Sequence, residues 1–401
     1  MSDPMRPRGA AALVIPWLCL CAVALVCRTQ AAPGQGTSVS VPSLQGRAQP
    51  AAQVDHALQA ALQRTRVAAA SLAVVGPAGP LYTRTVGTRV GPGSTPADAG
   101  TVFRAASLGK AVFAYLVFTL VNDGRLDLDK PLHEYLQKPL TDYPEYGDLA
   151  GDTRYRTITA RLALSHRTGF PNWRWQMKDR KLRILFNPGE KFLYSGEGYR
   201  LLQFVVEQVT GKDLEALAQE RVFRPLGMTK TSYSWRDEYA QNCAVDRAPI
   251  EKMFGPGFLK VPNCAGSLLT TAADYGRFLG AVLAGKGLPG RWRDEMLRPQ
   301  TVVTGQSLFG PAVAAAAATE SGASPFWCLG WGGFRTNAGT VRFHVGYDSP
   351  EYENYAVIYL EKRLGLVVLT GGGQGPKSAV PVFVEAVLGS NDTPFVWMGY
   401  E

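Results

Sequence analysis

The 401-residue chain has few cysteines outside its extreme N-terminus, no dense Lys/Arg block and no internal repeat. Three of its six cysteines are Cys19, Cys21 and Cys27, leaving Cys243, Cys264 and Cys328 downstream. That spacing is not that of a zinc site, and an odd number leaves one thiol unpaired. Cys243 and Cys264 are the candidate pair to staple the loop between them in an oxidising compartment. The formal net charge of +9 is spread along the chain without interleaved aromatics. It favours solubility and mild attraction to anionic surfaces and excludes a dedicated nucleic-acid face. With 46% hydrophobic and 19% charged residues, extensive disorder is excluded as well. The length suffices for one large domain or two sharing a core.

The first segment reads as an address. Arg6 and Arg8 precede an apolar stretch from Ala10 to Cys27, followed by small residues near Ala31. This pattern is expected of a signal peptide over 1–31, removed on export, with an uncleaved anchor as the alternative. Cys27 in "ALVC" is a poor match to a lipoprotein cleavage site. Loss of Arg6, Arg8, Arg28 and Asp3 would leave a charge of +7. Residues 32–50, rich in Gly, Pro, Ser and Gln, are expected to be a flexible linker.

From Ala51 to Arg66 the spacing of Val54, Leu58 and Leu62 predicts a helix. "ASLAVVGPAGPLYTRTVGTR" predicts two strands in a hairpin. A helix starting near Ser107, apolar all round through Val121, should lie at a domain centre, with Gly124 as its C-cap. "TARLALSHRTG", "YRLLQFVVEQVTG" and "TTAADYGRFLGAVLAG" predict further helices, the last capped by Thr270 or Thr271. "TVRFHVG", "NYAVIYLEK" and "GLVVLTGG" predict late strands, and "KSAVPVFVEAVLG" a closing helix. The order implies an α/β (α+β type) fold: a mixed, antiparallel-rich sheet drawn from both chain ends, flanked by helices, with a helical domain inserted. The catalytic domain is expected over 51–392, its α/β part at 51–125 and 330–392 and its helical part at 126–329.

The chemistry centres on "FRAASLGKAVFAYL". On a helix, residues i and i+3 share a face, so Ser107 and Lys110 would be neighbours. Burial lowers a lysine pKa and makes a base available near neutral pH. A serine beside such a base can attack a carbonyl and form an acyl-enzyme. No other serine in the chain has a lysine three residues later. The competing reading is a chance pair in which Lys110 snorkels to the surface.

Three Gly-bearing stretches add candidates. "NPGEKFLYSGEGYRLL" sets Tyr194 before a helix, where a tyrosine between cations can relay protons. "RFHVGYD" sets His344 and Gly346 on a strand, where glycine admits a substrate backbone. "NCAGSLLTTAADYGRF" is a further loop entering a helix. The bland alternatives are a surface aromatic for Tyr194 and a hydrogen-bonded strand histidine for His344. "TGGGQGPK" (370–377) could be read as a phosphate loop, though strand-to-helix turns use glycine for geometry alone.

Taken in order, Ser-x-x-Lys, the tyrosine loop and His-x-Gly resemble the serine β-lactamase and penicillin-binding superfamily. The similarity is to its class C β-lactamase-like branch, which also holds esterases and D-amino-acid peptidases. It extends through "NDGRLDLDKPLHEYL", "TARLALSHRTGFP", "FNPGEKFLYSGEGY" and "VFRPLGMTKTSYSW", roughly Val54 to Leu388. The resemblance implies a β-lactamase/transpeptidase-like fold, with Ser107 as nucleophile, Lys110 as its proton acceptor and Tyr194 as the second acid/base. His344 and Gly346 would line the site, and the backbone N–H groups of Ser107 and Tyr347 would form the oxyanion hole. It implies no metal and no cofactor.

Two positions depart from that pattern. Gly196 stands where β-lactam-processing members keep Asn, and His344-Val345 stand where β-lactamases have Lys and Thr. "YDSPEYENYAV" also lacks a Gly-rich turn. Acyl transfer survives these changes; recognition of a penicillin or D-Ala-D-Ala carboxylate does not follow. The expectation is an exported, periplasmic serine hydrolase acting on a small-molecule ester, amide or peptide, with esterase or peptidase favoured over β-lactamase. The alternative is a catalytically silent binding protein of the same fold that holds a cell-wall fragment or peptide.

Overall fold

The structure, a computed structural model, describes residues 39–65, 67–89, 94–304, 306–308, 310–311, 324–348, 352–372 and 379–400. The expected signal segment, most of "TGGGQGPK" and the low-complexity stretch after Pro311 lie outside the described residues. Residues Val39–Glu401 form one compact unit.

Its frame is an eight-stranded sheet: β1 (Ala69–Gly76), β2 (Gly79–Gly87), β3 (Thr301–Val302), β4 (Phe326–Trp327), β5 (Gly332–Thr336), β6 (Gly339–Asp348), β7 (Tyr352–Tyr359) and β8 (Leu364–Gly371). The spatial order is β2-β1-β8-β7-β6-β5-β4-β3, and each adjacent pair is antiparallel. The chain ends therefore meet at the β1–β8 pair, while the sheet is antiparallel throughout rather than mixed.

Strands β1, β7 and β8 are buried along their whole length, because the sheet is covered on both faces. On one face Ala70, Leu72 and Val74 pack with the helices α1 (Ala51–Thr65) and α5 (Ala379–Leu388). On the other, Ala69, Ala73 and Val75 join the core of the helices α2 (Gly109–Asn122) and α4 (Ala272–Ala284). Between them in the chain lies α3 (Gly196–Thr210).

Three expectations about organisation change. The linker reading of 32–50 fails from residue 39 on: Ser40–Val41 pairs with Gln49–Pro50, and Val41 is fully buried in the α1/α5 core. Helix α4 and strands β3 and β4, assigned to the inserted helical part, belong to the sheet layer; α4 meets β1 through Gly276, where a Cβ would come within 3.2 Å of Ala73 Cβ. Cys243, Cys264 and Cys328 are all free thiols. Cys264 is buried with its Sγ 3.4 Å from the Tyr199 carbonyl, whereas Cys243 Sγ faces Val245 O. No staple joins them.

Candidate active site

Ser107 lies in a tight turn between the strand Phe103–Ala106 and α2. The helix begins at Gly109, two residues later than expected. Ala106 has φ +48°, a left-handed backbone that costs a residue with a Cβ about 1–2 kcal/mol. This strain is compensated by the packing around it and turns the strand into the helix within three residues, leaving Ser107 half-buried at the corner. Gly109 is required by closeness: a Cβ there would meet Tyr233 Cε1 at 2.9 Å and the Cys264 carbonyl at 3.1 Å.

One turn on, Lys110 is 0% exposed. Its Nζ is 3.0 Å from Ser107 Oγ and 2.6 Å from the Ala265 carbonyl, to which Ser107 Oγ also donates at 3.2 Å. The loop "NCAGS" thus contributes a carbonyl from Ala265, and the loop's glycine is not the point of contact. Three rings surround the amine: Tyr194 at 4.9 Å from Nζ to centroid, Tyr199 at 5.7 Å and Trp173 at 5.8 Å. Burial lowers the Lys110 pKa to about 7, opposed weakly by the Cys264 thiol. A neutral amine is then well populated at physiological pH, next to the hydroxyl it would deprotonate. Lys110 does not snorkel.

Tyr194 precedes Ser195, whose Oγ caps α3 by accepting from Gly198 N at 2.9 Å. Burial pushes the Tyr194 phenol well above its ordinary value, an effect the Ser107 hydroxyl partly opposes. Of the flanking cations expected, the described residues bring Lys110, whose Nζ is 4.9 Å from the ring centroid. Besides Lys110, Tyr194 faces His166, ring centroids 4.3 Å apart, and His344 at 6.3 Å. His344 is held down to about 3 by burial and by Lys110. His166 lies well below its ordinary value through burial, Lys110 and His344. Burial keeps the proton on Tyr194, and the two depressed imidazoles bring no positive charge to it at neutral pH, which suits the role of acid.

His166 carries no periodic signal in the sequence, yet it grips both flanks of Tyr194. Its carbonyl accepts from Leu193 N at 2.9 Å, and its Nδ1 accepts from Ser195 N at 3.0 Å. His166 makes this double hold from a left-handed backbone, φ +57°. Its Nδ1 being an acceptor, the neutral ring carries its proton on Nε2.

The segment Asn172-Trp173-Arg174 latches onto the start of α3. Asn172 Oδ1 and its carbonyl each accept from Gly196 N at 3.0 Å, and the same carbonyl accepts from Glu197 N at 3.0 Å. Arg174 pairs with Glu197 through Nε–Oε1 at 3.1 Å and Nη2–Oε2 at 2.8 Å, the carboxylate being fully buried. Between them, the Trp173 ring lies over Gly196: a Cβ there would meet Cη2, Cζ2 and Cζ3 at 2.6–2.7 Å. Gly196 is thus a packing requirement in this chain.

Strand β6 forms the other wall. His344 and Gly346 share a face, by strand alternation, and point to the α2 side. His344 is fully buried, its Nδ1 donating to Val345 O at 2.8 Å. At Gly346 a Cβ would meet the Ala105 carbonyl at 2.2 Å and Leu108 Cγ at 3.2 Å. The close approach attributed to a substrate is made by the chain's own turn at Ser107. Asn354, opposite Gly346, donates to Arg104 O at 3.0 Å and Gly346 O at 3.2 Å and accepts from Thr370 N at 3.2 Å, fastening the turn to the sheet. Tyr347 follows on β6, half-buried and in register with Glu353. Among the described residues no group of three or more His, Cys, Asp or Glu could hold a metal ion, and no helix is long and apolar enough to cross a membrane.

Comparison with known proteins agrees with this architecture. A putative D-alanyl-D-alanine carboxypeptidase of Escherichia coli K12 is 30% identical over 159 residues, 34% of this chain and 35% of that protein. Esterase EstB of Burkholderia gladioli is 29% identical over 204 residues, 44% of this chain and 50% of the esterase. The lovastatin esterase of Penicillium rubens is 27% identical over 280 residues, 59% of this chain and 67% of that one. The carboxypeptidase match and others like it span only about a third of the relatives' length. The octameric penicillin-binding protein homologue of Pyrococcus abyssi shares the fold, with TM-score 0.64 and 18% identity over 87% of this chain and 80% of its own. So does the D-alanine carboxypeptidase AmpC of Burkholderia cenocepacia, with TM-score 0.64 and 18% identity over 84% of this chain and 98% of its own. The family profile described as Beta-lactamase matches residues 54–386, most of the chain, and this protein belongs to that family.

Proposed function

We propose that this protein is a serine hydrolase that cleaves an ester or amide through an acyl-enzyme on Ser107. The observation that carries the reading is the 3.0 Å contact between Ser107 Oγ and a fully buried Lys110 Nζ whose pKa lies at about 7. In the acylation step the neutral Lys110 amine takes the Ser107 proton as Oγ bonds to the substrate carbonyl carbon. The oxyanion so formed would be received by the backbone N–H groups of Ser107 and Tyr347, donors of a kind typically worth about 3 kcal/mol of barrier each. On collapse the bond to the alcohol or amine breaks and Tyr194 gives its proton to the leaving group. The Tyr194 phenolate regains a proton from the Lys110 ammonium, and the pair is reset for a water molecule to repeat the sequence on the acyl-enzyme. Esterases among the relatives support the ester side of the reading. The neutral His344 offers no permanent cation for a substrate carboxylate, which weighs against penicillins and D-Ala-D-Ala peptides.

The test is turnover of p-nitrophenyl acetate with intact-mass analysis. Acetylation at Ser107 is expected in the wild type and not in Ser107→Ala, and Lys110→Ala should lower kcat by about 10³. Because the active form of Lys110 is neutral, kcat/KM should rise with pH through an apparent pKa near 7. Undiminished turnover in Ser107→Ala would overturn the reading.

A further inference from the structure

Trp173 is placed as a wall beside the reacting atoms. Its ring is 5.8 Å from the same Lys110 Nζ that lies 3.0 Å from the nucleophile, and it occupies the space a side chain at position 196 would fill. Trp173 and Ser107 are both half-buried, so each keeps some accessible surface. It does not swing freely. Its two neighbours are fastened to α3, Asn172 on the N–H groups of Gly196 and Glu197 and Arg174 on the buried Glu197 carboxylate. A large flat ring held in this way loses little entropy when a ligand packs on it.

The charged groups at the wall are already engaged within the protein. The Arg174 guanidinium, next in sequence, is engaged by the Glu197 carboxylate. Lys110 sits at the bottom with its donors directed to Ser107 and Ala265. His344, on the facing strand, uses Nδ1 on the Val345 carbonyl. The wall itself is the Trp173 ring, an aromatic surface matched by a flat apolar group.

Resting on the hydrolase reading, we propose that Trp173 is a specificity-determining residue and that the preferred substrates are neutral esters or amides with an aromatic group beside the scissile carbonyl. Gly196 is part of the device, since only a residue without a side chain lets the indole lie there.

The experiment has a kinetic arm and a binding arm. The kinetic arm compares phenylacetyl with acetyl esters of p-nitrophenol, and benzyl with ethyl acetate, so that an aromatic group on the acyl side and on the alcohol side are separated. In Trp173→Ala the aromatic-to-aliphatic ratio of kcat/KM should fall about tenfold in one of the two pairs, chiefly through KM, while Trp173→Phe should keep most of it. Gly196→Ala, which leaves Asn172 and Arg174 intact and displaces the indole, should lower the same ratio. Equal ratios in wild type and Trp173→Ala for both pairs would overturn the proposal.

The binding arm uses Ser107→Ala and titrates N-phenylacetylglycine methyl ester against N-phenylacetylglycine, with and without Trp173→Ala. The neutral ligand should bind about tenfold more tightly than the anion, and the second substitution should weaken it. Equal or tighter binding of the anion would overturn the neutral-substrate assignment. This arm needs no turnover, so a pocket that binds as described in a protein with no Ser107-dependent hydrolysis would remove the hydrolase reading and leave the assignment of Trp173 standing.

Discussion

Strand β6 reaches the site through a backbone ladder with the Asn354 side chain as an added tie, whereas the Tyr194 loop is held by a few isolated hydrogen bonds. On the sheet side, β6 lies between β5 and β7 in register over many residues, and Gly346 meets the Ser107 turn because Asn354 and the ladder put it there. Among the described residues no ladder forms on the loop side. Tyr194 is held by the carbonyl and the ring of one histidine, and α3 by an asparagine and an ion pair. A ladder shares its load over many bonds, so loss of one side chain is felt as stability. A clamp made of single side chains concentrates the load, and its loss is felt as geometry. The difference teaches where activity is vulnerable: a displacement of about 1 Å can cost about 100-fold in rate.

The sharpest way to break this comparison is His166→Ala. It removes the acceptor for Ser195 N and the ring against Tyr194, and kcat is expected to fall about 100-fold with KM changed much less. Asn354→Ala on the sheet side should instead lower the melting temperature more than it lowers kcat. Steady-state kinetics and thermal melts on both variants check the contrast, and a kcat loss as large in Asn354→Ala would erase it.

A smaller effect is expected for Glu197→Gln. The carboxylate is fully buried while Arg174 is 21% exposed, so the arginine left behind can still reach water. The expected cost is about 2 kcal/mol, below the usual range for breaking a fully buried pair, read as a shift in denaturant midpoint without a change of slope.

The effect that vanishes at neutral pH is a slope. His344 is held at about 3 in the fold, against 6.5 for a free imidazole. Between those values the unfolded chain takes up a proton that the folded chain refuses. The contribution is therefore absent above pH 6.5, and stability falls as pH drops from 6.5 towards 3, by at most about 1.4 kcal/mol per pH unit. His166, also depressed, adds in the same sense. His344→Gln should flatten the acid limb of a stability–pH curve; an unchanged limb would place the proton uptake elsewhere.

Much of the fold and the centre of the site could be read from the sequence. An all-apolar run after Ser-x-x-Lys pointed to a central helix, while the burial of Lys110, against snorkelling, was decided by the fold. The β-branched runs at both ends of the chain had to share a sheet. What escaped was every contact without a period. His166 follows a five-residue helix, Ala160–Leu164, and sits before a glycine loop, where nothing marks a clamp. Ala265 acts through a carbonyl, which every residue has. Gly196 and Gly346 were singled out as site positions, but the atoms that need their missing Cβ groups, the Trp173 ring and the Ala105 carbonyl, are 23 and 241 residues away. Cys243 and Cys264 looked pairable by spacing, although one packs against α3 and the other against its own loop.

The sequence by itself determined the chemistry available to this protein: a hydroxyl one turn from an amine at the head of an apolar helix, and a phenol at the start of another helix. Those follow from local periodicity, which is written in neighbouring residues. Only the tertiary structure decided which proton each group holds and what surrounds it, with Lys110 near neutrality, Tyr194 protonated between uncharged imidazoles, and Trp173 over Gly196. These depend on burial and on distances between segments far apart in the chain, which no local pattern encodes.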